Sequence, residues 1–169
     1  EFEVKALGGT MGSSNITFTN CIAWGGYARC FGICGEVSRG ISNVAFRDCA
    51  VVYRDGVWDN DRIGSLVIVA EQCDGSINGV TFENIEIFRD AGRPILVKIY
   101  DEEKENFEIK NVEYKNITYT SYMPSKIEGN GSNTNTVQVK LSNITANGFS
   151  VSRSGSLFSV GKNCDVKFE

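Results

Sequence analysis

The sequence contains no histidine, only two prolines and two tryptophans, and no apolar run long enough to cross a membrane. Without His the chain lacks the usual general base of neutral pH and the commonest zinc ligand. No His is there to support a zinc site. The scarcity of proline and a 41% hydrophobic content exclude a disordered linker. No basic cluster is present and the net charge is −4, so no nucleic-acid partner is expected. Nor is a membrane partner. No helical 3.6-residue pattern runs beyond a turn or two.

What is present is a short phrase repeated five times. NITFTNCIAW, Asn15 to Trp24, returns as NVAFRDCAVV from Asn43, GVTFENIEIF from Gly79 and NVEYKNITYT from Asn111. A weaker copy, VKLSNITANG, starts at Val139. The steps Cys21 to Cys49, Ile85, Ile117 and Ile144 are 28, 36, 32 and 27 residues. A fixed phrase at variable spacing is a structural unit carrying loops of different length.

Each phrase alternates with period two. Ile16 and Phe18 fall on one side, as do Val44/Phe46, Val80/Phe82 and Val112/Tyr114, which is strand periodicity. The Asn or Asp that follows suits a sharp corner, since it tolerates left-handed backbone. A second strand then turns Cys21/Ala23, Cys49/Val51, Ile85/Ile87, Ile117/Tyr119 and Ile144/Ala146 inward. A third strand is read at CFGICGE from Cys30, LVIVAE from Leu66, ILVKIYD from Ile95 and LFSVGK from Leu157, with TVQVK from Thr136 serving the fourth repeat. The opening FEVKA matches the third strand.

These features predict an all-β, right-handed, single-stranded parallel β-helix of about five to six coils, three strands per coil. Equivalent residues would stack about 4.8 Å apart. The Asn/Asp column would form a side-chain ladder. Residues 1–169 make one domain, and the abrupt start in EFEVKALGG, with no capping helix, predicts a module excised from a larger multidomain protein. Arg54 to Gly64 and Ser121 to Asn135 are the long inserts. The six cysteines lack metal-ligand spacing and read as buried thiols, with Cys21 and Cys49 as stack neighbours able to form a disulfide. Among the Asn-x-Ser/Thr matches only Asn130, in a loop, is a glycosylation candidate.

The stretch FGICGEVSRGISNVAFRDC, Phe31 to Cys49, resembles the pectin-lyase-like superfamily, and within it the polygalacturonase type, whose members carry a phrase close to GHGISIGSE, a Gly-rich link and NVTFENC. Aligned on Glu36, their Gly-His-Gly falls on Ala28, Arg29 and Cys30. The resemblance implies Asn-x-Asp and Asp-Asp carboxylates, a supporting His and an Arg-x-Lys pair. This chain has no His and no Asp-Asp pair. Lys98 stands where the Arg-x-Lys strand would be, but its partner Leu96 is apolar. Hydrolysis needs two carboxyl groups facing across the bond, and only Glu71 and Asp101 offer themselves near strand ends. A lyase would need a calcium cluster, for which Asp55, Asp59 and Asp61 share one loop.

Catalytic β-helices of this type usually have twice as many coils. A small β-helix without those motifs resembles β-helical carbohydrate-binding modules, such as the xylan-binding carbohydrate-binding module family 89 of gut-bacterial xylanases. Two surfaces suit a sugar. Trp24, Val52 and Phe88 would form an outward apolar stripe on the second strand. The outer face of the third strand would present Lys5, Lys98 and Tyr100, with Arg29 and Glu71 close by, bordered by loops carrying Tyr27, Tyr53, Arg54, Trp58, Arg89 and Arg93. Trp58, flanked by Asp59, Asn60, Asp61 and Arg62, is the sharpest case.

The expected function is therefore a non-catalytic, secreted carbohydrate-binding module, not itself an enzyme. It would bind xylan or a related hemicellulose and serve a covalently linked glycoside hydrolase. The expected ligand-binding residues are Trp58, Tyr27, Trp24, Tyr53, Arg29, Glu71, Arg89, Lys98 and Tyr100. No catalytic residue and no cofactor are expected, calcium being left open. The alternatives are a β-helix glycoside hydrolase or polysaccharide lyase fragment acting on pectin-like polymers, and a purely structural β-helix.

Overall fold

The structure is a computed structural model and describes residues 2–8, 10–72, 74–100, 105–132 and 134–169. Its described residues form strands and no helix, stacked as a parallel β-solenoid of about five turns. Two sheets wrap one core. The first contains β1 (Phe2–Ala6), β4 (Arg29–Val37), β6 (Gly64–Glu71), β8 (Ile95–Ile99), β10 (Ser125–Glu128) and β13 (Phe158–Val160), in that order and parallel throughout. The second contains β2 (Ser13–Thr19), β3 (Ile22–Gly26), β5 (Ile41–Arg54), β7 (Ile77–Asp90), β9 (Glu108–Ser121), β11 (Thr136–Ala146), β12 (Phe149–Ser150) and β14 (Cys164–Phe168). Among the described residues only β12 runs antiparallel to its neighbour, β11.

Asn20 separates β2 from β3, but Asp48, Asn84, Asn116 and Asn143 do not end a strand as their turn-forming chemistry suggested. Strand pairing resumes directly after each of these four, so the two expected strands fuse into one bent strand in β5, β7, β9 and β11. The bend is made by left-handed backbone at Asn20, Asp48, Asn84, Asn116 and Asn143, all with φ between 53° and 55°. Asn84 Nδ2 donates to Asp48 Oδ1 at 2.9 Å, Asn116 to Asn84 at 2.8 Å and Asn143 to Asn116 at 2.9 Å. A short polar side chain lowers the cost of left-handed backbone, and each amide bonds the next coil. A second such column, unexpected from the sequence, begins the phrases at Asn15, Asn43 and Asn111, with Gly79 completing it.

Inside, Phe18, Phe46, Phe82 and Tyr114 stack ring on ring across four coils, with centroids 5.1, 5.0 and 4.6 Å apart. In-register parallel pairing forces this, because Phe46 lies opposite Phe18 and Phe82, and Phe82 opposite Tyr114. Burying each such ring contributes about 1.5–3 kcal/mol before the cost of ordering it. Ile85, Ile87, Ile117, Tyr119, Ile144 and Ala146 fill the core from the far side of the corner, as the phase required. Cys21 and Cys49 do fall side by side, since Ile22 pairs with Ala50, but both are free thiols. Cys73 lies outside the described residues.

One strand assignment fails. TVQVK opens β11 of the bent sheet, and the third strand of that coil is β10, SKIE, inside the Ser121 to Asn135 insert. Four residues with one inward isoleucine are too short to signal a strand by alternation alone. Asn130, the glycosylation candidate, is only 6% exposed, and its Oδ1 accepts from the Ser132 N–H. The loop folds back on itself and buries most of that residue.

Candidate functional site

The outer face of the six-stranded sheet follows from simple alternation. Leu66, Ile68, Ile95, Val97, Ile99 and Ile127 point into the core. Their neighbours therefore point out, in rows set by the pairing register. One row runs Glu3, Gly32, Val67, Leu96 and Lys126; the next runs Cys34, Val69, Lys98 and Glu128; a third sets Glu36 beside Glu71. Lys98 and Tyr100 lie on this face as expected.

The middle of the face is not open. Cys34, Val67, Val69 and Leu96 point outward yet are fully buried, with Tyr100 against them. The insert following Arg54 lies across them. Arg29 Nε donates to the Arg62 carbonyl at 2.9 Å, and the Arg62 guanidinium sits 3.8 Å above the Tyr100 ring. Asp61 of the same insert meets Lys98 at 3.5 Å and Lys126 at 3.3 Å.

The root of this insert is a buried ion pair. Arg54, expected as a loop residue facing the ligand, is instead wholly buried and fully used. Its Nε and Nη2 reach both oxygens of Asp90, and Nη1 donates to the Gly56 carbonyl at 2.6 Å. Ser65 Oγ and the Gly92 N–H also donate to Asp90, at 2.6 and 2.8 Å. Arg93, expected beside it, is half-buried and donates to the carbonyls of Asn60 and Pro124. Both arginines hold the loop and neither is offered to a ligand.

Charged groups alternate over the exposed part. Lys98 lies 3.5 Å from Asp61 and 3.7 Å from Glu128; Lys126 lies 3.3 and 2.6 Å from the same two carboxylates. Burial pushes the Asp61 carboxyl up, but the Lys98 and Lys126 ammoniums outweigh it and hold it below the usual range. In front of this square opens a groove of about 540 Å³, floored by Ile99 and bordered by Gly129, Asn130 and Gly131. Further along, Arg29 lies 3.7 Å from Glu3 and 4.0 Å from Glu71, and Lys5 is 3.5 Å from Glu36. Glu36 is held low by its own backbone amide and by Lys5. Arg62 Nε and Glu71 Oε1, 3.7 Å apart, are both buried and without a hydrogen-bond partner among the described residues.

A larger groove, about 620 Å³, runs along the asparagine corner past Asp48, Asn84, Asn116 and Phe88. Most of its amides are spent on the ladder, leaving few groups to direct a ligand, so the smaller groove carries the richer chemistry.

The remaining expected residues separate into another region. Trp24 is 72% exposed and Tyr27 67%, and Trp24 meets Tyr53 edge to face with centroids 6.0 Å apart. The predicted stripe Trp24, Val52, Phe88 is broken. A register shift after Ala23 sets Trp24 opposite Tyr53 instead of Val52. Trp58 is 54% exposed in the insert, and Arg89 pairs with Asp55 at 3.6 Å. Asp101 lies outside the described residues. The three loop carboxylates considered for calcium face different cations: Asp55 faces Arg89, Asp59 faces Arg62, and Asp61 faces the two lysines. No metal-ligating group of three exists among the described residues. Asp61, Arg62, Lys126 and Glu128 were not expected on the ligand face; only the alternation Lys126–Ile127–Glu128 hinted at it.

The family model of glycosyl hydrolases family 28 matches residues 7–164. The chain belongs to glycosyl hydrolases family 28. Neither the curated proteins nor the solved structures contain a match. This family 28 membership overturns the expectation that the chain is not an enzyme, since it points to a glycoside hydrolase. That expectation rested on a few short motifs, the missing His and Asp-Asp pair. The family match spans nearly the whole coil pattern. A likeness to xylan-binding modules finds no support in the family 28 match.

Proposed function

We propose that this family 28 chain forms part of a glycoside hydrolase acting on a plant cell-wall polysaccharide, with the polymer seated on the outer face of the six-stranded sheet. The observation that carries this reading is the groove of Asp61, Lys98, Lys126 and Glu128, where donors and acceptors alternate on a rigid sheet. A parallel sheet holds such groups at fixed spacing, so little ordering is required when a ligand arrives. Glycoside hydrolysis draws on a pair of carboxyl groups across the scissile bond. Glu36 and Glu71 stand on adjacent strands in register. Glu36 is held below the usual carboxylate range, and Glu71 has a buried oxygen without a hydrogen-bond partner among the described residues, 3.7 Å from Arg62 Nε.

A secreted protein would be in place to meet such a polymer. The test is release of reducing ends from a panel of plant polysaccharides. The expected result is activity on at least one, reduced roughly 100-fold or more by Glu71→Gln with the fold retained. Activity unchanged in Glu71→Gln would remove that residue from the proposal, and no activity on any polymer would remove the hydrolase reading.

A further inference from the structure

Both tryptophans of the chain lie on the surface, in two loops that touch. Trp24 is 72% exposed and Trp58 54%, and Tyr27 of the first loop and Val57 of the second are more than half exposed as well. Apolar residues scattered singly over a surface are ordinary, whereas a cluster of them marks an interaction site. The two loops are fastened together. The Asp55 N–H donates to the Gly26 carbonyl at 3.1 Å, and Arg54, held by Asp90, donates to the Ala28 carbonyl at 3.3 Å. Gly56 packs so closely on the Tyr27 carbonyl that a Cβ there would overlap it. This closure sets Tyr27 beside the segment Val57–Trp58. In the first loop Gly25 turns at φ 69°, and Tyr53 packs over it, edge to face with Trp24. Neither tryptophan lines the groove of Asp61, Lys98, Lys126 and Glu128.

Resting on the reading of the chain as a hydrolase of plant polysaccharides, we propose that Trp24, Tyr27 and Trp58 form a second saccharide site outside that groove, a platform on which pyranose rings of the polymer stack. Stacking engages the C–H face of the ring, which neutral and uronic pyranoses share. Arg89 and Asp55, 3.6 Å apart and both more than half exposed, stand at the root of the second loop and offer ring hydroxyls a donor and an acceptor. The area favours a polymer over a second copy of this chain. An aromatic side chain buries about 150–250 Å², so three of them exposed to this degree leave roughly 300–500 Å², short of the ~800 Å² per partner that a stable protein interface needs. The fastened loops also leave little backbone to be ordered when a sugar arrives.

The test is affinity electrophoresis of the full chain through gels containing arabinoxylan, a neutral β-glucan or polygalacturonate. Each gel is run at about 0.01 M and 1 M salt, where the screening length falls from about 30 to 3 Å. The expected result is retardation by at least one polymer that survives the high salt. Trp24→Ala and Trp58→Ala should each weaken it roughly tenfold, and Trp24→Phe, which keeps an aromatic face, distinctly less. An unchanged urea midpoint confirms that each variant is folded. Retardation unaltered in the double variant Trp24→Ala/Trp58→Ala, or none by any polymer, would overturn the platform. So would a dimer in sedimentation velocity that dissociates in Trp24→Ala, which would assign the surface to a second copy. Reducing-end release from the same polymers reads the hydrolase assignment separately. Release without tryptophan-dependent retardation overturns the platform and leaves the hydrolase; tryptophan-dependent retardation without release supports the platform and removes the hydrolase.

Discussion

Asp90 and Arg54, 36 residues apart, meet in the interior of the solenoid with neither side chain exposed, Arg54 Nε donating to Asp90 Oδ2 at 3.1 Å. The pair joins the ends of two adjacent bent strands and anchors the insert that carries Asp61 and Arg62. Removing one partner strands the other's charge in the core. Asp90→Asn or Arg54→Met should therefore lower stability by about 3–5 kcal/mol, read as a drop in urea midpoint. The double variant Arg54→Met/Asp90→Leu should recover much of that loss, because no buried charge is left unpaired. A single variant as stable as the parent would show the pair to be without structural weight.

The asparagine ladder makes a separate claim. Asn84 both donates to Asp48 and accepts from Asn116, and holds φ at 55°. Asn84→Ala loses both bonds and strains the backbone, for a combined cost of roughly 2–4 kcal/mol. Asn84→Gly loses the bonds but relieves the strain, so it should cost less. Equal losses in the two variants, measured by denaturant unfolding, would mean that backbone conformation contributes nothing at this corner.

Phe82 stands in the aromatic stack with Phe46 and Tyr114 on either side. Phe82→Ala should cost about 3–5 kcal/mol by opening a cavity between coils, and Phe82→Leu distinctly less. Thermal unfolding of the two variants checks the order.

Acid should loosen the groove. The lysines beside Asp61 lower its folded pKa below the ordinary value, and Glu36 is lowered likewise. A carboxyl with a depressed folded pKa adds stability that is complete above its unfolded value, about 4, and fades as pH falls through the lower folded one. Stability should thus decline below about pH 4. Lys98→Met/Lys126→Met should flatten that decline, since Asp61 would lose the charges that depress it. An unchanged acid limb in the double variant would contradict the assignment.

Much of the fold is readable from local pattern. The phrase NVAFRDCAVV specifies two runs of inward residues and a left-handed corner at Asp48, and Val44, Phe46, Cys49 and Val51 are all buried. The bent continuity of β5 was not readable, because a left-handed residue looks like a strand terminator until strand pairing with the next coil resumes directly after it. β10 was missed because SKIE is too short to carry a period.

The candidate site was less legible. Lys98 and Tyr100 follow from strand phase, and Glu71 from its place at a strand end. Arg54 and Arg93 were misplaced, because an arginine in a polar insert reads as exposed whether or not a buried Asp90 or a free carbonyl awaits it. The Trp24 stripe failed by one residue, because a bulge after Ala23 shifts the register and leaves no mark in composition.

Sequence alone settles the repeat, the inward columns and the asparagine corners, because each depends on residues a few positions apart in a period-two chain. Tertiary structure settles which charges face one another. Asp61 reaches Lys98 and Lys126, 65 residues on in the latter case, only because the insert after Arg54 folds back over three strands. Coulombic pairing depends on distance in space, and sequence separation does not encode it.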